Sequence, residues 1–119
     1  MSSYRKANLD EIAAKQWPHW IPVRHFFGID AFGVNAYRAK AGATAVPEHD
    51  ETASDQEEVS VVIRGSGHWR VDGEEVRVRE GSFIRFDAGS TRCPVAGPEG
   101  MSFISIGSPR GAYTPRGHF

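Results

Sequence analysis

The sequence predicts an all-β domain, a small barrel or two-sheet jelly roll of about eight strands with a short N-terminal helix. Glycine turns recur roughly every eight to twelve residues, at Arg64-Gly65-Ser66-Gly67, Val71-Asp72-Gly73-Glu74 and Glu80-Gly81-Ser82. The segments between them are short and β-prone, as in Val59-Ser60-Val61-Val62-Ile63 and Phe83-Ile84-Arg85-Phe86. One stretch alone has helical character, near the N-terminus.

That stretch is Asn8-Leu9-Asp10-Glu11-Ile12-Ala13-Ala14-Lys15, with Asn8 or Asp10 as the cap and Trp17-Pro18 as the stop. From there the pattern is β. Ile21 to Phe27 reads as a strand. Phe32 to Lys40 reads as another, with Phe32, Val34 and Ala36 alternating against Gly33, Asn35 and Tyr37. Ala43 to Gln56, rich in small and acidic residues, reads as a long loop, and a loop of that length in a compact domain is usually functional or mobile. Strands are then expected over Glu57 to Arg64, His68 to Val71, Glu75 to Val78, Phe83 to Phe86, Thr91 to Val95 and Met101 to Ile106. Gly107 to Phe119 is expected to run in extended form over the surface or a neighbouring subunit.

The 119 residues are expected to form a single domain (1–119), with a barrel core over about 21–106 and a tail over 107–119. Fourteen basic against fifteen acidic residues give no electrostatic footprint for nucleic acid. No apolar stretch approaches a membrane span, and Met1-Ser2-Ser3-Tyr4 precedes no hydrophobic signal core. Cys93 is the only cysteine, which fits a reducing cytoplasm. Seven Phe, three Trp and three Tyr point to an aromatic interior or an aromatic-lined pocket. There is no Gly-x-Ser-x-Gly elbow, no phosphate-cradling Gly-Lys-Ser/Thr loop and no cysteine pair for zinc.

The order of residues from His49 onward resembles the cupins. His49 and Glu58, with Gly65 downstream, resemble the first cupin motif, which has paired histidines, a glutamate and a glycine. Gly81 followed by Asp87-Ala88-Gly89-Ser90-Thr91-Arg92 resembles the second, which has a glycine, Pro-x-Gly and a histidine. The resemblance covers about residues 30–106 and implies a cupin barrel, commonly a homodimer. Barrel edges give a physical reason to pair. In metal-binding cupins, two histidines and the glutamate of the first motif join one histidine of the second around a divalent metal. Here Glu51 stands where a second histidine would, Asp87 stands at the proline position, and Arg92 stands at the final histidine position.

The residues leave two readings of that centre open. His49, Glu51 and Glu58 offer one imidazole and two carboxylates, a mixed N/O set for one iron, manganese, nickel or zinc ion. Arg92 has no lone pair to give and stays protonated. If Ser60 and Val62 share its face, Glu58 points inward, where a carboxylate must be paired or protonated, and Arg92 is its natural partner in a metal-free barrel. Arg92 can instead receive an anionic ligand, since guanidinium matches carboxylate or phosphate. Tyr37, Asn35 and His68 are the further candidates for lining a ligand pocket. Of the remaining groups, His25 is expected to reach the same cavity only if its strand faces inward, the tryptophans around His19 to close one end of the barrel, His118 to be free in the tail, and Cys93 to be core. No catalytic residue is assigned.

Three functions follow as expectations. The first is a bacterial small-molecule-binding cupin with a degenerate metal site. The second is a metal-dependent cupin enzyme, an oxygenase or isomerase of secondary metabolism. The third is a non-catalytic sensor or interaction domain in which the acidic loop from Glu48 to Glu58 and the Arg-rich tail contact a partner.

Overall fold

A computed structural model describes residues 3–13 and 18–117. Its elements are α1 (Leu9–Ile12), β1 (Trp20–Ile21), α2 (Val23–Phe27), β2 (Gly33–Ala39), β3 (Gln56–Val71), β4 (Glu74–Arg79), β5 (Phe83–Phe86) and β6 (Arg92–Pro109). The strands form one sheet in the order β1-β2-β6-β3-β4, with β5 added to β3. Every pairing is antiparallel. The all-β fold expected from the glycine spacing is the fold observed.

Two long strands account for the difference between the expected and observed strand counts. β3 has 16 residues and β6 has 18, and they pair with each other along almost their whole length. The early half of β3 holds β5 on its other edge, at Glu58–Val61, and the late half holds β4, at Ser66–Val71. Each long strand was expected as two: Arg64-Gly65-Ser66-Gly67 reads as a turn between the halves of β3, and Thr91 to Val95 and Met101 to Ile106 read as separate strands. Both strands are continuous, and the glycine turn is a bend within β3. β6 also extends to Pro109, so Gly107 belongs to a ladder and not to the tail.

A bulge decides which side chains face inward. Val62 pairs with Phe103 but Arg64 pairs with Ser102, so Ile63 is an extra residue on β3. Before it, Glu58, Ser60 and Val62 point to the interior; after it, Trp69 and Val71 do. The bend leaves no room for side chains. A Cβ on Gly65 would lie 2.2 Å from the Gly100 carbonyl oxygen, and Gly65 has φ +76. The hairpin at Asp72-Gly73 is built differently: both residues have positive φ, 50 and 84, the combination a tight type I′ turn requires.

The core splits across the two faces of the sheet. Inside lie Val62, Trp69, Phe86, Met101 and Phe103, with Trp69 edge-on to Phe103 at 4.8 Å between centroids. On the outer face of β2, Ile12, Ile21 and Ala36 pack with Leu9, Phe26, Phe27 and Ile104. The N-terminal segment thus covers part of the sheet's outer face. Glu11 Oε1 accepts from the Asn8 backbone N–H at 2.9 Å, closing the first turn of α1. The remainder of the expected helix, through Lys15, and the Trp17 stop lie outside the described residues, as does His118.

The expected strand over Ile21 to Phe27 is corrected. Pro22 stops β1 after two residues, and Val23, Phe26 and Phe27 recur at the spacing of one helical face, which they bury against Ile21 and Ala36. Gly28, with φ +69, ends this short helix.

The bend makes a testable claim about packing against conformation. Gly65→Ala is expected to lower stability by roughly 2–4 kcal/mol, combining left-handed strain with overpacking. Gly73→Ala has nothing within 4 Å of the new methyl and should cost only the strain, about 1–2 kcal/mol. Urea unfolding of both variants checks this; equal losses would refute a packing role for the bend.

Candidate functional site

The inward-facing residues of β2, β3 and β6 converge on one cavity of about 30 Å³ with Val46 and His49 of the long loop. Its polar lining consists of Tyr37, His49, Glu58, Ser60, Arg92 and Ser105. Register explains the grouping. Asn35, Ser105 and Ser60 stand side by side across three strands, and the two serine hydroxyls are 2.7 Å apart. One step along β2, Tyr37 stacks on Phe103 at 5.0 Å.

Arg92 is the most unusual member, with 1 % of its surface exposed. Its Nη1 donates to the carbonyl oxygens of Ser90 at 2.9 Å and Asp87 at 3.2 Å. Asp87 and Ser90 bracket a turn in which Ser90 N–H bonds back to Asp87 O at 3.0 Å. So the Asp87-Ala88-Gly89-Ser90 stretch, which stands where Pro-x-Gly was expected, turns two carbonyls toward a buried cation. Nη2 donates to Glu58 Oε1 at 3.3 Å, and the guanidinium lies over the Phe86 ring at 5.0 Å. Among the described residues Nε has no acceptor.

Glu58 keeps 21 % of its side chain exposed, and burial pushes its carboxyl above the usual glutamate range. The nearby Arg92 opposes that shift without cancelling it, while the Glu51 charge adds to it. Burial also raises the Tyr37 phenol, with the Glu58 charge next in effect; the Asn35 hydrogen bond works the other way.

The loop is tied down at the same place. His49 and Arg92 exchange backbone hydrogen bonds, 3.1 and 2.9 Å, and Glu51 N–H bonds to Ala88 O at 2.8 Å. His49 Nδ1 meets Pro47 O at 3.0 Å, which makes Nδ1 the donor, and Nε2 faces Glu51 Oε2 at 3.3 Å.

These contacts bear on the proposed metal ligands. His49 and Glu51 are engaged with each other, and Glu58 is engaged with a cation. Among the described residues no three His, Cys, Asp or Glu side chains are grouped to hold a metal ion. With a guanidinium against Glu58, the carboxylate that lines the cavity, the residues present do not fit a divalent ion.

The candidate ligand-lining residues separate. Tyr37 and Arg92 line the cavity; Asn35 reaches it through the Tyr37 hydroxyl. His68 does not line it. It alternates with the inward Trp69 and pairs with Glu75 at 3.7 Å, so its inclusion is corrected by strand geometry. His25 is exposed on α2, and Cys93 is a buried core residue whose thiol is 3.7 Å from Val46 O. Sequence reading missed Ser105, Trp69 and Phe86 as parts of the site. Ser60 was legible from its parity with Glu58.

Residues 37–107 match the model of the cupin domain family, more than half of the chain. The chain belongs to the cupin domain family. No curated protein matches it by sequence. Among solved structures it resembles a cupin protein from Bacteroides fragilis, with TM-score 0.80 and 21% identity over 98% of this chain and 93% of that one. It also resembles a protein from Photorhabdus luminescens, with TM-score 0.72 and 18% identity over 94% and 92% of the two chains. A third likeness is to a sugar phosphate isomerase of the cupin superfamily from Silicibacter pomeroyi, with TM-score 0.72 and 22% identity over 93% and 77%. At these identities the likeness concerns the fold.

Two outcomes are expected. Arg92→Ala should destabilise the protein by about 3–5 kcal/mol in urea unfolding, because it strands the Glu58 charge and leaves a cavity. Arg85→Ala, which breaks the surface pairs with Glu57 and Asp87, should cost far less, and a similar loss for both would refute the buried pairing. The raised Glu58 carboxyl means that, over the pH interval between the ordinary glutamate value and the raised one, the folded state holds a proton that the unfolded state has released. Above that interval Glu58 is ionised against Arg92. Stability should therefore fall as pH rises from the ordinary glutamate range through the raised value. Melting temperatures of the parent and Glu58→Gln against pH should show the parent's relative stability shrinking over that interval, and a constant difference would contradict it.

Proposed function

We propose that this chain is a small-molecule-binding cupin in which an internal Glu58–Arg92 ion pair takes the place of a metal ion. The observation that carries the reading is the buried guanidinium, bonded to Glu58 at 3.3 Å inside a polar-lined cavity. A barrel used only as a scaffold for partner contacts has no need of two serines, a phenol and an ion pair around a hollow interior, and such groups are costly to bury. The cavity of about 30 Å³ takes only the head of a ligand; the rest must lie beneath the loop from Ala43 to Gln56, which has to lift from its His49 and Glu51 ties.

A second reading is an enzyme of isomerase type. His49, Glu58 and Tyr37 supply proton donors and acceptors around one cavity, with Glu51 against His49, and the Silicibacter pomeroyi neighbour is described as a sugar phosphate isomerase. Its chemistry would be removal and return of a proton next to a carbonyl by these side chains.

The first experiment is metal analysis of protein purified without chelators, then incubated separately with iron, manganese, nickel and zinc and desalted. Far less than one equivalent of each is expected. Near-stoichiometric metal that disappears in His49→Ala would overturn the reading in favour of a metal-dependent enzyme. Deuterium incorporation from D₂O into a sugar phosphate panel then separates binder from isomerase: none is expected for a binder, and incorporation abolished by Glu58→Gln would establish the second reading.

A further inference from the structure

Arg92 is satisfied on one side and not on the other. Both Nη1 bonds go to backbone carbonyls, at 2.9 and 3.2 Å, and these hold the guanidinium in place. The edge formed by Nε and Nη2 is the edge that ordinarily grips a carboxylate with two parallel bonds. Here Glu58 takes only Nη2, at 3.3 Å, and Nε finds no acceptor among the described residues although Arg92 is 99% buried by its 1 % exposure. A buried donor left this way is costly, so an arrangement that keeps one requires a reason. The same side chain lines the cavity, together with the hydroxyls of Tyr37, Ser60 and Ser105.

We propose that the Arg92 Nε–H is the anchoring donor of the ligand site and that it holds an uncharged oxygen acceptor, the carbonyl or carboxamide head of a small molecule. This rests on the small-molecule reading and names the ligand class for it.

Charge and size both select a neutral head. The guanidinium is already opposed by Glu58, and Glu51 lies close enough to act on Glu58. A further anion would bring the interior an unmatched negative charge, which burial penalises heavily. Nη2 is already turned to Glu58, so an anion placed on this edge would lie beside an existing carboxylate. The cavity of about 30 Å³ accepts roughly two water-sized groups, enough for a carbonyl and its neighbour and too little for a phosphate. The expectation that Arg92 receives an anion is thereby replaced by a narrower one.

Acetamide and acetate test this directly, because they have nearly the same shape and differ in charge. The readout is the ¹H–¹⁵N signal of the Arg92 Nε–H in the unaltered protein, assigned through bonds, during titration with each compound. Acetamide is expected to shift this signal with saturation at millimolar concentrations, as befits so small a ligand, while equal acetate leaves it in place. A shift with acetate alone, or an equal shift with both, would overturn the neutral-head proposal and leave the cavity as a binding site. No shift with either would overturn the Arg92 Nε–H as the anchoring donor and leave the small-molecule reading to the metal and deuterium experiments above. In Arg92→Lys, which keeps the charge and removes the Nε donor, the backbone amide signals of Ser60 and Ser105, which line the cavity and should move with acetamide in the parent, are expected to stay in place; an unchanged response there would overturn the anchoring role. If that variant does not fold, the pair of titrations on the parent still decides.

Discussion

A cation buried among strands sets the terms for the interior of this cupin. The surrounding chain is arranged around the Arg92 guanidinium: a turn offers two carbonyls, a strand offers Glu58, and a ring offers its face, while Nε alone has no acceptor among the described residues. The backbone of the same residue holds His49, so the loop that covers the cavity is attached where the charge is buried. One position therefore links the second strand pair, the covering loop and the polar lining.

The sheet delivers the site through register. The Ile63 bulge lets one strand present Glu58, Ser60 and Val62 inward in its first half and Trp69 inward in its second. Without the extra residue, the parity that buries Glu58 would bury His68 and Arg70 and expose Trp69. The aromatic wall and the ion pair coexist because of that one residue.

Much of the fold was legible because glycine and hydrophobic alternation are local signals. Phe83 to Phe86 and the Asp72-Gly73 hairpin were readable from a few adjacent residues, and the inward direction of Glu58 followed from Ser60 and Val62. What was not legible is non-local. Val23 to Phe27 contains β-prone residues, and only packing against Ile21 and Ala36 makes it a helix. The bend at Gly65 looks like a turn in sequence, because the ladder that continues through it pairs Gly65 with Met101 and Gly67 with Ala96, far along the chain. Ser105 enters the site through strand pairing alone. The ion pair was visible as a possibility, since a buried carboxylate needs a cation; that its partner would leave Nε without an acceptor could not be read from residue types.

The two long strands also govern how this molecule comes apart. In many barrels each half rests on its own short strands, and one half can open while the other stays closed. β3 and β6 cross the bend as continuous strands, so peeling back the β4 side pulls on residues that also hold β5 and β2. Backbone amides on both sides of the bend then belong to a single cooperative unit, and their slowest hydrogen exchange takes place only when the whole sheet is lost.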